Sequence, residues 1–341
     1  MSGLPQQDQG AISLPQVFSF LEHRNAWRAA ALGTAVMVLF FALTLDGAAL
    51  RDAWQSISLR LFLVTAALIS INGLLDGWWL SVITRASQRN AYRVVAWHML
   101  LSSILPARLG DLGWMYCMHA WLAQPLARAI FVTFYHRLQD FMVVSVMLML
   151  SLLIASSHIG GTPLLIASLL VLLVMGLVCV SLGQLLAVLA AIVLKLHRRF
   201  HRPWLRQVLE HVLRVRIWYR HRLERKQVLL SFVVIVLRWF TILAAVAIVI
   251  SALAGPVSAS DSFLLANAYV YFGIVPLQSV GGFGSGEAGL AWMLTHYGVP
   301  LAKASAIGLL LRLLINLVHV TLWASVLGLL WLLRRGARGE R

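Results

Sequence analysis

The sequence predicts an all-α polytopic membrane protein, with six full spans and two oppositely oriented re-entrant hairpins arranged as an inverted repeat. Three observations carry this reading. Apolar residues make up 60% of the 341 and charged residues only 12%, against about 45–50% and 25% in soluble domains. Runs long enough to cross a bilayer, about 20 residues each, recur along the chain. Two further runs are broken at matching places by Pro, Gly and an acid.

The full spans fall at 28–45, 61–83, 126–157, 164–195, 228–254 and 304–333, and the broken runs at 94–121 and 262–297. Lys and Arg number 28 against 12 Asp and Glu, a formal +16. On a soluble protein that excess would suggest nucleic acid, but here its position sets topology. Arg85, Arg89 and Arg93 stand in 84–93 without an acid, and 195–226 carries eleven basic residues against two acids. By contrast, Arg51 and Arg60 are balanced by Asp46 and Asp52, 158–163 is uncharged, and 255–261 holds only Asp261. Both termini and the basic connector are therefore expected in the cytoplasm. Residues 1–27 form a cytoplasmic N-terminal segment with no signal-peptide pattern, 195–227 the basic connector, and 334–341 a basic tail.

This orientation makes each broken run enter and leave on one side. The first breaks at Leu105-Pro106-Ala107-Arg108-Leu109-Gly110-Asp111, and the second between Pro276 and Gly286-Glu287. Each ends in a Gly-acid pair, followed by an intramembrane arginine: Arg137 lies 26 residues after Asp111, and Arg312 lies 25 after Glu287. The unit span–hairpin–span occurs twice, at 61–157 and 228–333. Irregular backbone at membrane depth needs a wet or protein-lined cavity, and matched breaks in inverted halves mark a transporter-like substrate site.

Charges inside the membrane cost at least about 2.5–3.5 kcal/mol each on insertion scales, so they face a cavity or one another. Arg108, Asp111, Arg137, Asp140, Arg238, Glu287 and Arg312 are such charges. Arg137 and Asp140 are three apart and share a helical face. Arginine suits phosphate because its planar fork donates two parallel hydrogen bonds. The Gly281–Gly286 run, including Gly284, offers backbone N–H groups to an anion, though it lacks the Lys of a P-loop. Asn72 and Asp76 share a face of the second span and are second-tier cavity candidates, read first as structural. His197 and His201 have metal-ligand spacing, but the surrounding arginines disfavour a metal. Trp204, Leu205, Val208, Leu213, Ile217 and Trp218 give the connector the pattern of an interfacial helix. Trp78, Trp79 and Trp331 fit an aromatic belt. Cys117 and Cys179 lie in apolar runs and form neither a disulfide framework nor a metal cage. No cofactor, metal or ATP-hydrolysis motif is expected.

These residues together resemble the transmembrane region of lysylphosphatidylglycerol synthases and the free-standing membrane proteins related to it. The matching stretches are 105–111, Arg137-Leu138-Gln139-Asp140, Pro276 with 281–287, and Gly298 to Ala306 leading into Arg312. The resemblance covers residues 28–333. It implies a bacterial inner-membrane protein with re-entrant helices that moves a lipid between leaflets. In the bifunctional relatives that lipid is an aminoacylated phosphatidylglycerol, and free-standing relatives are linked to hopanoid, glycan or other lipid pathways. His136 stands where the family often has an acid. No aminoacyl-transferring domain follows within these residues, so the chain is not expected to make a lysyl-lipid itself.

The expected function is that of a lipid translocase, not an enzyme. Arg108, Arg137 and Arg312 would hold phosphate, while Asp111 and Glu287 would hold a cationic headgroup part or carry a coupling proton; Asp140, Gly284 and Gly286 complete the candidate site. The expected partners are membrane lipids and a lipid-synthesising enzyme, with no nucleic acid. A membrane-embedded lipid-modifying transferase and a secondary transporter of a small polar solute are the alternatives. The short, nearly uncharged external loops count against the transferase.

Overall fold

The computed structural model describes residues 35, 38–104, 110–154, 161–203, 205–206, 208–210, 212–213, 224–255, 257–274 and 283–339. Their secondary structure is helical, with no strand among the described residues. In chain order the helices are α1 (Gly47–Gln55), α2 (Leu59–Thr84), α3 (Gln88–Ile104), α4 (Gly110–Leu122), α5 (Leu126–Ile154), α6 (Gly161–Phe200), α7 (Arg225–Ala254), α8 (Ala259–Ile274), α9 (Ser285–His296) and α10 (Leu301–Gly339). Residues 38–44 are also helical and precede α1. Four segments are long and apolar enough to cross a membrane: Leu59–Thr84, Leu126–Ile154, Lys226–Ala254 and Leu301–Leu332. The chain is thus a polytopic helical membrane protein.

Local chemistry sets the ends of these helices. The Ser58 hydroxyl accepts the Leu61 N–H at 3.1 Å and caps α2, satisfying one of the donors a helix start leaves open. Arg85, with φ 57°, turns the chain out of α2. The stretch 46–60, expected to be a plain loop, contains α1, capped by Asp46, whose carboxylate accepts from Ala48 at 3.1 Å. Its apolar face, including buried Ala53, packs on Ala306 and Leu310 of α10.

The expected span at 164–195 lies inside α6, which continues to Phe200. Of the span at 28–45, only 35 and 38–44 are among the described residues. In the connector, Leu205 is buried while Val208 and Leu213 are exposed; Trp204, Ile217 and Trp218 lie outside the described residues. The breaks themselves, 105–109 and 275–282, also lie outside them, and with them Arg108, Pro276, Gly281 and Gly282.

Each broken run is a pair of short helices packed along each other. α3 and α4 have 17 and 13 residues, and α8 and α9 have 16 and 12. At 1.5 Å per residue each is shorter than about 30 Å of hydrocarbon. Apart from the contact of α7 with α10, which α2 and α5 do not match, the main helix contacts are preserved when α2, α3, α4 and α5 are exchanged for α7, α8, α9 and α10. Thus α3 packs on α10 as α8 packs on α5, and α2 and α7 form the most extensive contact. Two apolar cores draw mainly on one set each, although Leu61 and Ile69 of α2 sit in the core of α7–α10, and Val234, Ile235 and Trp323 in that of α2–α5. One gathers Trp79, Val94, Trp114, Met118 and Val143; the other gathers Val246, Ile250, Leu265, Leu290 and Leu311. A coat of exposed Leu, Ile, Phe and Trp side chains surrounds both. In water so large an apolar surface would aggregate; in a bilayer it is the lipid face.

Small residues permit the closest approaches. A Cβ on Gly110 would come within 2.8 Å of the Ser102 Cα and collide with the Ser102 hydroxyl. A Cβ on Gly286 would lie 3.2 Å from the Tyr269 carbonyl oxygen and 3.4 Å from the Gly273 Cα. Gly110→Ala should therefore push α4 off α3 and destabilise the protein by about 1–3 kcal/mol, the usual range for overpacking. Gly286→Ala, with more space, should destabilise it less. Thermal unfolding of the purified variants in detergent gives both values, and equal losses would contradict the packing.

Candidate functional site

Where the two halves meet, a polar cavity of about 250 Å³ opens between α2, α3, α4, α5, α7, α8 and α10. Its charged lining is Asp76, Asp111, Arg137, Arg238 and Arg312, with His98, His136 and His319. Asp140 and Glu287 lie behind these arginines and pair with them. The charges come from helices that are otherwise apolar, so the cavity gathers most of the intramembrane charge.

The first cluster begins at Asp111, in the first turn of α4. Its carboxylate accepts two hydrogen bonds from Arg137, at Nε (3.2 Å) and Nη2, the two-pronged geometry that makes arginine pairs specific. Arg137 Nη1 donates to Asp140 Oδ2 at 3.2 Å. Asp140 then accepts from Arg238 Nη2 and from the Trp239 indole N–H at 2.8 Å. Arg238 also lies 3.2 Å from Asp76, and Asn72 donates to the Arg238 carbonyl at 2.8 Å. His136 bridges the two inner carboxylates, with Nε2 3.1 Å from Asp76 and Nδ1 3.4 Å from Asp140. A continuous chain of alternating charge thus joins α4, α5, α7 and α2.

The second cluster centres on Glu287, one turn into α9. Its Oε1 accepts from Arg312 Nε at 2.7 Å and from the Tyr269 hydroxyl at 2.9 Å. Its Oε2 accepts the Gly284 N–H at 2.7 Å. The two clusters correspond. The Gly-acid pairs noted in the sequence bind the arginines 25 and 26 residues downstream. His98, whose Nε2 is 3.9 Å from Asp111, holds the place on α3 that Tyr269 holds on α8. Each stands four residues before the close-approach position, Ser102 or Gly273.

The site residues expected from sequence therefore fall into two groups, Asp111–Arg137–Asp140 and Gly284–Glu287–Arg312, with Arg108 outside the described residues. Several details differ from expectation. The Gly284 N–H is taken by Glu287 rather than presented to an anion, and Gly286 serves close packing of α9 on α8. Asp111 and Glu287, expected to meet a cationic headgroup part or a proton, each pair with an arginine of the protein. Asp76, read as structural, is fully buried at the centre of the network, and Arg238 was noted as a charge without being placed in the site. His98, Tyr269, His319 and Asn316 also line the cavity. No repeated spacing in the sequence points to them: His98 lies 13 residues before Asp111, but Tyr269 lies 18 before Glu287. Trp79 is no belt residue: it is completely buried, and its indole N–H donates to Gln139 at 2.9 Å.

Exposure divides the charges further. The side chains of Asp76, Asp140 and Glu287 are 0%, 5% and 1% exposed, whereas those of Arg137 and Arg312 are 29% and 17% exposed. Asp140 and Glu287 sit behind Arg137 and Arg312, whereas Asp111, 21% exposed, shares the opening with them. The Nε atoms of Arg238 and His319 (Nε2 in the latter) are buried without a hydrogen-bond partner among the described residues.

Fold and site define a multi-pass helical membrane protein with an ion-paired polar cavity between its helices. Residues 28–324 match the family described as the lysylphosphatidylglycerol synthase TM region, and the chain belongs to that family. Membership ties it to membrane lipids. No curated protein and no solved structure matches the chain.

Arg238 is the cation shared by two buried carboxylates on different helices. Arg238→Ala would leave Asp76 with His136 as its partner and Asp140 with Arg137 and Trp239, and losing one partner of a buried pair costs about 3–5 kcal/mol. The variant should insert poorly or unfold at much lower temperature in detergent. Arg238→Ala together with Asp76→Asn should recover part of the loss. Stability indistinguishable from wild type in Arg238→Ala would refute the bridging role.

Proposed function

We propose that the protein is a lipid translocase whose six spans and two re-entrant hairpins form an inverted repeat, and that a polar headgroup crosses in the cavity while the acyl tails remain in lipid. The observation that carries this reading is that two partly buried, carboxylate-paired arginines, Arg137 of α5 and Arg312 of α10, line a single cavity. Short paired helices and the preserved contacts under exchange of halves support the repeat. A headgroup phosphate enters by taking donors from Arg137 and Arg312, with Asp111 and Glu287 fixing both guanidinium planes. On this reading the protein moves lipid without altering it chemically. It sits in a bacterial inner membrane with both termini in the cytoplasm, and receives lipid from a synthesising enzyme.

Leaflet exchange of a labelled phospholipid in reconstituted vesicles tests the reading. Arg312→Ala should abolish exchange with only modest destabilisation, because Glu287 keeps the Tyr269 hydroxyl and the Gly284 N–H as donors. Arg137→Ala should also abolish exchange, with a larger loss of stability, since Arg137 satisfies both Asp111 and Asp140. Arg→Lys at either position should restore only part, as an ammonium keeps the charge but loses the fork. Unchanged exchange in both Arg→Ala variants would end the headgroup-clamp reading. Reporters fused after residue 210 and at residue 160 should report cytoplasmic and external locations, respectively.

A further inference from the structure

The two halves match in their ion pairs and main helix contacts, yet they differ at the seams that lead to the cavity. On α3, Arg89, Arg93 and Trp97 are spaced four apart and form one stripe. With Asn90 and with Leu327, Leu330 and Trp331 of α10, they line a recess of about 220 Å³. Arg89 Nη2 reaches across the seam to the Leu330 carbonyl at 3.4 Å. The Arg93 guanidinium lies 4.2 Å over the Trp121 ring, and Trp97 packs on that ring at 6.0 Å. Arg93 is five residues before His98, which lines the cavity, about 7–8 Å along the helix axis.

The corresponding seam, between α8 and α5, has no such stripe. No Lys or Arg occurs in 259–274 or 141–154, and the Asn267 amide closes the contact by donating to the Ser151 hydroxyl at 2.9 Å. We propose that the α3–α10 recess is a second lipid site, one that takes the phosphodiester of an anionic glycerophospholipid and admits it to the cavity from the arginine-rich side. Two guanidinium groups supply forked donors for phosphate oxygens, and the tryptophans and leucines supply surface for the glycerol and the first methylenes. None of the described lining residues is acidic, in contrast to the cavity, where carboxylates accompany the arginines. The positive-inside rule accounts for the charge of Arg89 and Arg93 and places this face in the cytoplasm, but it does not require a ring-lined recess on the path to the cavity. The site's existence is independent of transport; its role in admission rests on the translocase reading.

Binding and movement are measured separately on the purified full chain. Thermal stabilisation in detergent, titrated with short-chain phosphatidylglycerol or phosphatidylcholine, reports affinity. The titration is run on the wild type and on Arg312→Ala, which weakens the cavity site. In both backgrounds phosphatidylglycerol should be preferred, and adding Arg89→Gln with Arg93→Gln should lower its apparent affinity roughly tenfold, as expected for losing a charge-assisted hydrogen bond or more. The Lys pair, which keeps topology charge, should bind more weakly than wild type. In vesicles the Gln pair should slow exchange most when phosphatidylglycerol is scarce and recover as its fraction rises, whereas Arg312→Ala stays inactive at every fraction. Unchanged phosphatidylglycerol affinity in the Gln pair, equal affinity for phosphatidylcholine in wild type, or full affinity in the Lys pair would overturn the site. A wild type that binds phosphatidylglycerol as stated but moves no lipid would overturn the translocase reading and the admission role, and leave the binding site standing.

Discussion

The ion-pair chain from Asp111 through Arg137, Asp140 and Arg238 to Asp76 is the constraint on which the rest of the structure depends. Charges at this depth are stable only when paired and hydrogen-bonded. Pairing across α2, α4, α5 and α7 dictates how those helices stand relative to one another. Because α2 and α7 belong to different halves, the Asp76–Arg238 pair also fixes the halves together at the most extensive helix contact in the fold. The second cluster, Glu287–Arg312–Tyr269, ties α8, α9 and α10 within one half. The apolar cores fill the volume behind these pairs, and neither core alone would specify one register against lipid.

Close approach of backbones makes the charge network possible. Apolar side chains gain nothing by leaving lipid for one another, so helix contacts in a bilayer depend on fit and on small residues. Gly110 against Ser102 and Gly286 against Gly273 set the starts of α4 and α9 tight against their partners, which puts Asp111 and Glu287, one residue later, at the depth of their arginines. A broader side chain at either glycine moves the acid as well as the helix. The glycine and the acid therefore act as one unit, and their adjacency in the sequence is the local trace of a tertiary requirement.

That adjacency explains why part of the site was legible and part was not. Gly-acid pairs and downstream arginines at nearly equal spacing are local patterns repeated twice, and the structure pairs those very residues. Asp76 and Arg238 are 162 residues apart, with no repeated pattern to link them, so Asp76 read as structural. His98 and Tyr269 are different residue types in equivalent places, and residue type alone conceals the equivalence. Trp79 read as an interfacial anchor because it lies near a span end beside Trp78. Only the packing of α2 against α4 and α5 shows that it is enclosed and hydrogen-bonded to Gln139. The helix at 47–55 was hidden by its length and mixed composition, since its apolar side makes sense only against α10.

On the proposed translocase reading, the pairing also bears on how the cavity would release what it binds. Had Arg137 and Arg312 been unpaired, an incoming phosphate would gain the whole interaction with two buried cations and would leave slowly. Each arginine instead already has a carboxylate partner, so a phosphate exchanges one anionic acceptor for another. Net affinity is then a difference between two similar terms and stays modest. Glu287 tolerates the exchange because Tyr269 and Gly284 continue to donate to it, and Asp140 does so because Arg238 and Trp239 remain. The additional donors keep the carboxylates from being stranded while the guanidinium groups are engaged elsewhere. A paired cavity is thus compatible with a site that must be filled and emptied repeatedly, and the cluster chemistry favours turnover over tight retention.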